Sequence, residues 1–190
     1  MNALTRPRST CWIQLASGVG VDLMTPDLAP VRLSDLATAL ARLPRWLGHT
    51  TVLYSVGQHS LHVEDLVRRA GGTLAQRRAA LLHDAHESLL GDVPSPMKPL
   101  LGDAFAALEE RLQHAVLSRF RVAPEAAGCA MVRRADLVAL STERRDLLRP
   151  SVWSWSWTPP APDAARILVH PESRVFAQFM QRAALLELPS

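Results

Sequence analysis

Residues 74–96 read LAQRRAALLHDAHESLLGDVPSP. Over 74–90 the spacing predicts a helix with Ala80, His83 and Glu87 on one line, and Gly91-Asp92-Val93-Pro94-Ser95-Pro96 breaks it sharply. The same helical period recurs on both sides. Upstream, His59, Val63, Leu66 and Val67 share a face between 58 and 70, where Gly71-Gly72 stops the helix. Before that, Ser34 is placed to cap a helix over 35–43, with Leu36, Ala39, Leu40 and Leu43 on one face and Pro44 as its stop. Downstream, Phe105, Leu108, Leu112 and Val116 stripe a helix over 103–120. Pro124 opens a long helix to Leu148, since proline is tolerated in a first turn. Val175, Phe179 and Leu186 stripe a last helix over 171–187.

Three stretches depart from this pattern. Between 11 and 24, Ile13 and Leu15, then Val19, Val21 and Leu23, alternate around a Ser17-Gly18 turn, which predicts a β-hairpin. Residues 45–57 read as loop, and SVWSWSWTPPAP at 151–162 is irregular. The expected fold is mainly α, one domain over 1–190. It has a hairpin at about 11–24, a helical core at about 34–148, and a Trp-rich segment with a C-terminal helix at 150–187.

The chain has 190 residues, 48% hydrophobic and 21% charged, so it can bury a core without disulfide or metal and is not disordered in bulk. No run of about 18 apolar residues exists, which excludes a transmembrane helix. The basic start MNALTRPRST runs into alternation rather than an apolar block, so no signal peptide is expected. Cys11 and Cys129 are far apart, with no CxxC, which points to a reduced cytoplasmic setting. Net charge is +3, and all but one of the 21 basic residues are Arg, the exception being Lys98. Their scatter reads as solvated helix faces rather than a nucleic-acid stripe.

Polar groups on core-facing positions carry the chemistry. Asp136 has Val132 and Leu140 one turn away on either side, where an unpaired carboxylate costs several kcal/mol, roughly. His59 lies on the Val63/Leu66 face, and His83-Asp84 follows Ala79-Ala80-Leu81-Leu82. Alone, each has a structural explanation: a core histidine, an aspartate bound to arginine. Together, two imidazoles and two carboxylates converging in a helical core suit a divalent ion such as Mn, Fe, Co, Ni or Zn, with Mg possible. Two open positions on such an ion could hold a water and a phosphate oxygen.

The order H59…H83-D84…D136 resembles the signature of the HD-domain phosphohydrolases. YSVGQHSLHV at 54–63 and LLHDAHESLLGDVPSPMK at 81–98 resemble their 5′-deoxynucleotidase-like branch, including small phage and prophage members. SGVGVDLMTP, RWLGHT at 45–50 and ADLVALSTERRDL at 135–147 are similar too, so the resemblance spans most of 12–148. It implies an HD-type helical bundle holding one divalent metal, with His59, His83, Asp84 and Asp136 as ligands. It also implies that Glu87 orients or deprotonates the attacking water and that Asp92 assists proton transfer to the leaving group. Arg45, Trp46 and Lys98 match substrate-binding positions. One position departs: Gln58 stands where the better-known bacterial enzymes have Glu.

The expected function is therefore hydrolysis of the 5′-phosphate of deoxynucleoside monophosphates. The alternative is a deoxynucleoside triphosphate triphosphohydrolase, and the distant one a non-catalytic nucleotide-binding module. The expected partner is a small nucleotide, with no membrane and no nucleic acid. Three tryptophans (Trp153, Trp155, Trp157) and an apolar C-terminal helix also lead us to expect a homo-oligomer.

Overall fold

The hairpin forms where the alternation places it: β1 (Trp12–Gln14) pairs antiparallel with β2 (Gly20–Asp22), with Ile13 opposite Val21. Apart from an isolated bridge between Pro44 and Ser55, the other described residues of the computed structural model are helix or irregular chain, so the protein is mainly α with a small N-terminal hairpin. The structure describes residues 10–190, and most of the basic N-terminal stretch lies outside them. No described helix is long and apolar enough to cross a membrane.

Helix α1 (Leu33–Arg42) starts one residue before the expected cap. Ser34 lies inside it, and Arg32 is the N-cap. The carboxylate that fixes this end is Asp35, which accepts from the N–H groups of Arg32 (3.2 Å) and of Ser17 in the hairpin turn (2.9 Å). One buried side chain thus caps the helix and docks the hairpin. The loop after α1 is closed at its base, where Arg45 N–H donates to Tyr54 (2.9 Å) and Val56 N–H to Leu43 (2.9 Å).

Ser55 then caps α2 (Val56–Arg69), accepting from Gln58 N–H. Near the start of α2, α1 passes so close that a Cβ on Gly57 would meet Leu40 and Ala41 backbone atoms at 3.1 Å. A side chain there would require the α1 backbone to give by a few tenths of an ångström, so glycine suits this spacing of the two helices, two residues before His59.

Two expected helices are broken. The helix over 74–90 divides into α3 (Leu74–Leu82) and α4 (Glu87–Leu90). His83 Nδ1 donates to Ala80 O at 2.8 Å, taking an acceptor that a continuing helix offers to Asp84 N–H. The chain tightens into i→i−3 bonds, Ala85 to Leu82 (3.1 Å) and Glu87 to Asp84 (3.0 Å). The helix is thus interrupted between His83 and Glu87, where the expected continuous helix would have carried both on one line. The helix over 124–148 divides at Gly128-Cys129 into α6 (Pro124–Ala127) and α7 (Ala130–Leu147), because Cys129 is extended (φ −71°, ψ 155°). Between these lies α5 (Lys98–Arg119), kinked at Gly102 (φ 73°), where only glycine is unstrained, so its regular part starts at 103 as expected.

The last helix, α8 (Glu172–Leu185), packs on α1 and α2 through Val175, Phe179 and Ala183. Its apolar stripe is used inside the molecule rather than left for a subunit interface. Buried Glu64 of α2 ties it down between Arg77 (2.7 Å) and Arg182. The irregular segment before α8 is clasped by Gln58, whose amide donates to Leu168 O (2.6 Å) and accepts from His170 N–H (3.0 Å). A glutamate could not make the first of these bonds, which gives Gln58 a structural reason to be an amide.

Replacing Gly57 by Ala should separate α1 from α2 and cost about 1–3 kcal/mol, the usual penalty for overpacking. In a chain of this size that lowers the melting midpoint by roughly 2–4 °C per kcal/mol. An unchanged thermal midpoint would show that the two helices tolerate a wider spacing.

Candidate metal centre

α2, the tightened turn after α3, and α7 meet at one point. His59 Nε2, from α2, lies 3.3 Å from His83 Nε2. Asp84 Oδ2 stands 3.5 Å from the first nitrogen and 3.2 Å from the second. These three residues place ligand atoms within 4.8 Å of one another and can hold a metal ion. Asp136, on α7, brings Oδ1 to 3.2 Å from His59 Nε2 and 3.9 Å from His83 Nε2. Its side chain is 40% exposed, so it forms the open edge of the site rather than part of the core.

Both imidazoles are locked in one orientation. His83 Nδ1 faces the Ala80 carbonyl, which can only accept, so that nitrogen carries a proton. His59 Nδ1 lies 2.6 Å from Glu143 Oε1, a fully buried carboxylate. Each ring therefore presents Nε2 to the other and to two carboxylates. Two lone pairs 3.3 Å apart repel unless a proton or a cation sits between them. Two ligands each about 2.1 Å from one ion stand roughly 3.0 Å apart at a right angle and 3.4 Å at a tetrahedral angle. The observed separations fit such an ion, and hydrogen bonds from the opposite ring nitrogens are what imidazole ligands require.

The electrostatics point the same way. Burial opposes a charge on His59, as does Arg45, yet Glu143 and Asp136 raise its pKa to about 9. Burial likewise opposes ionisation of Asp84, but His83, His59 and Arg45 hold it well below the usual range. Glu87 has no such support. Burial, then Asp84 and Asp92, push it up to about 10, and its Oε2 has no hydrogen-bond partner. Asp92 is raised chiefly by burial. Five carboxyl groups thus crowd round the two imidazoles and Arg45, and Glu87 and Asp92 hold their protons more tightly than surface acids do.

Glu143 is the residue the sequence reading missed. Besides His59 it binds the Arg45 Nε (3.4 Å) and Nη2 (3.3 Å) groups and the Trp46 indole N–H (2.9 Å). Despite burial, Arg45 and His59 hold its pKa at about 2. Its signal was present: it follows Asp136 by seven residues, two turns along the same helix, on a stripe with buried Ala135, Ala139 and Thr142. α7 thus supplies one carboxylate at each nitrogen of His59, Glu143 at Nδ1 and Asp136 at Nε2.

Of the expected substrate-binding residues, Arg45 reaches the site, with Nη1 3.7 Å from Asp84. Trp46 reaches it only through Glu143. Their turn (Arg45–Gly48) holds Trp46 at φ 57° and Leu47 at φ 52°. Left-handed non-glycine residues cost about 1 kcal/mol or more each and persist only where contacts over-determine them. Lys98 donates to Glu109 at 2.7 Å, and its charge acts on Glu87 and Asp84. His62 and His86 lie against Asp163 (3.5 Å) and Glu109 (3.6 Å), so neither adds a ligand to the group.

No model of a known protein family matches the chain. It is 42% identical over 113 residues to an uncharacterized protein of Rhodobacter capsulatus, a match covering 57% of this chain and 58% of that protein. It is 31% identical over 152 residues to the uncharacterized protein YfdR of Escherichia coli K12, covering 79% of this chain and 81% of YfdR.

Changing Glu143 to Gln should leave the helices intact and weaken metal binding about 10–100-fold, the usual loss when a ligand's supporting partner is altered. Metal titration with far-ultraviolet circular dichroism checks this. Unaltered affinity would remove Glu143 from the support of His59.

Proposed function

The chain belongs to the same family as YfdR of Escherichia coli, and from its site we propose that it is a metal-dependent phosphohydrolase acting on the 5′-phosphate of deoxynucleoside monophosphates. The observation that carries the reading is the facing pair of His59 and His83 Nε2 atoms, 3.3 Å apart among carboxylates, beside a buried Glu87 with an unpartnered oxygen. His59, His83, Asp84 and Asp136 would hold one divalent ion of the Mn, Fe, Co, Ni or Zn type, Mg being a poorer match to imidazole. Such an ion, when bound, acidifies water and neutralises phosphoryl charge.

The chain's own groups do the rest. Glu87, buried and without a hydrogen-bond partner on Oε2, is placed to orient the attacking water; burial, Asp84 and Asp92 hold its own proton on, so it would take the water's proton once a divalent ion bound beside Asp84 favours its carboxylate form. Asp92, whose carboxyl burial pushes upward, retains a proton more readily than a surface aspartate and delivers it to the departing nucleoside oxygen. Water supplies the new P–O bond as the P–O5′ bond breaks. Arg45 Nη1, beside Asp84, is placed to meet a phosphate oxygen at the ion.

Two observations favour monophosphates over the triphosphate alternative. Arg45 is tied to Glu143 and Lys98 to Glu109, so neither extends toward a β- or γ-phosphate. A purely binding role is disfavoured by the presence of every ligand position together with Glu87 and Asp92.

The decisive experiment is phosphate against triphosphate release over a panel of dNMPs and dNTPs with Mn, Co and Mg. His83→Ala and Asp84→Ala should lose metal and turnover together. Glu87→Gln should keep metal and fold and lose about 10²–10⁴-fold in kcat, the worth of a positioned acid or base. No release from any nucleotide by the metal-loaded protein sinks the proposal, and a fully active Glu87→Gln reassigns the water-orienting group.

The same reading includes an oligomer of at least two copies. Leu100 (86% exposed), Val152 and Trp153 are the apolar side chains that a second copy would cover. Light scattering at micromolar concentration should give at least twice the 20.9 kDa chain mass, and a monomer contradicts it.

A further inference from the structure

The irregular chain between α7 and α8 is pinned at one end and aromatic at the other. Near α8, Asp163 pairs with Arg69 and His62, and its N–H donates to Thr142 Oγ1 (2.8 Å). Asp146 accepts from Ile167 N–H (2.9 Å), and Gln58 clasps Leu168 and His170. Toward α7 the tip carries Trp153, Trp155 and Trp157. Trp155 is held on the protein by rings and charge: the Arg144 guanidinium lies 4.2 Å from its centroid. Trp46 lies parallel to it within 16° at 6.3 Å, and Trp157 within 17° at 5.5 Å. Trp153 is 83% exposed and stacks on no ring among the described residues.

The Trp46 indole is therefore fixed twice. Its N–H donates to Glu143, and its face leans on Trp155. Its backbone offers little support, because Trp46, Leu47 and Gly48 all lie in the left-handed region. Such a turn keeps its shape only while side chains hold it. Adjacent residues of α7 grip both indoles, Glu143 taking the N–H of Trp46 and Arg144 the face of Trp155.

We propose that Trp155 is a positioning residue: by stacking on Trp46 it keeps the indole N–H on Glu143, and through Glu143 it keeps His59 Nε2 aimed at the metal position. The inference rests on the metal-site reading and not on the identity of the substrate. Removing the stack lets the Arg45–Gly48 turn relax, Glu143 loses a donor, and His59 loses part of its orientation. Direct loss of a ligand's supporting partner costs about 10–100-fold in metal affinity, so a residue two contacts further out, acting through Trp46, should cost less, about 3–10-fold.

The test uses the full chain and Co²⁺ alone as probe, followed by its visible absorption. Trp155→Ala should bind Co²⁺ about 3–10-fold more weakly than the parent. Trp155→Phe, which keeps a stacking face, should recover most of the loss, and Trp153→Ala should bind like the parent. If the alanine variant fails to fold by circular dichroism, Trp155→Leu keeps the apolar bulk without the ring and answers the same question. A second readout needs no metal: the Trp46 indole N–H resonance, identified by its absence in Trp46→Phe, should exchange with solvent faster in Trp155→Ala. Equal Co²⁺ affinity and equal indole exchange in parent and Trp155→Ala overturn the inference, as does an equal loss in Trp153→Ala. A parent protein that binds no Co²⁺ overturns the metal reading instead, and the indole exchange then decides the stacking role alone.

Discussion

The fully buried Glu143 carboxylate is the contact on which the site depends. Removing an ion of that size from water costs several kcal/mol, roughly, and only charged or strongly polar donors offset it. Here the donors are His59, two guanidinium nitrogens of Arg45 and the Trp46 indole. Two segments, α2 and the Arg45–Gly48 turn, converge on one side chain of α7, which ties the three together. His59 is thereby set to one ring orientation, and the strained Arg45–Gly48 turn is held against its own backbone preference.

Two other devices complete the geometry. Gly57 lets α1 and α2 approach until a Cβ would crowd the α1 backbone, two residues before His59. The Ala80 carbonyl, claimed by His83, ends α3 and tightens the chain so that His83 and Asp84 both face the cluster, although they are neighbours in sequence. A regular helix sends adjacent side chains roughly 100° apart around its axis. Breaking the helix is thus part of building the site.

The outer parts of the molecule serve to hold this centre. Asp35 docks the hairpin on α1, and Glu64 joins α2, α3 and α8 through two arginines. Gln58, one residue before His59, clasps the chain that leads into α8. The C-terminal third is thus joined to the helix that supplies the first histidine, and its aromatic tip reaches the turn that carries Arg45 and Trp46.

Much of this was legible in the sequence because it is local. Helical periods located the helical segments, alternation located the hairpin, and polar groups on apolar faces singled out His59, His83, Asp84 and Asp136, which the fold brings together. What the sequence could not decide depends on partners far along the chain. Glu143 meets His59 across 84 residues, and Gln58 meets Leu168 across 110. A one-dimensional pattern shows that a residue faces inward, but not what it will face. For the same reason the pairing of Lys98 with Glu109 could not be read from the sequence, and the helix over 74–90 read as continuous until a side chain took one of its carbonyls. Periodicity fixes which face of an element is buried; only the packing of elements fixes which donor meets which acceptor, because that pairing is set by geometry that no single segment contains.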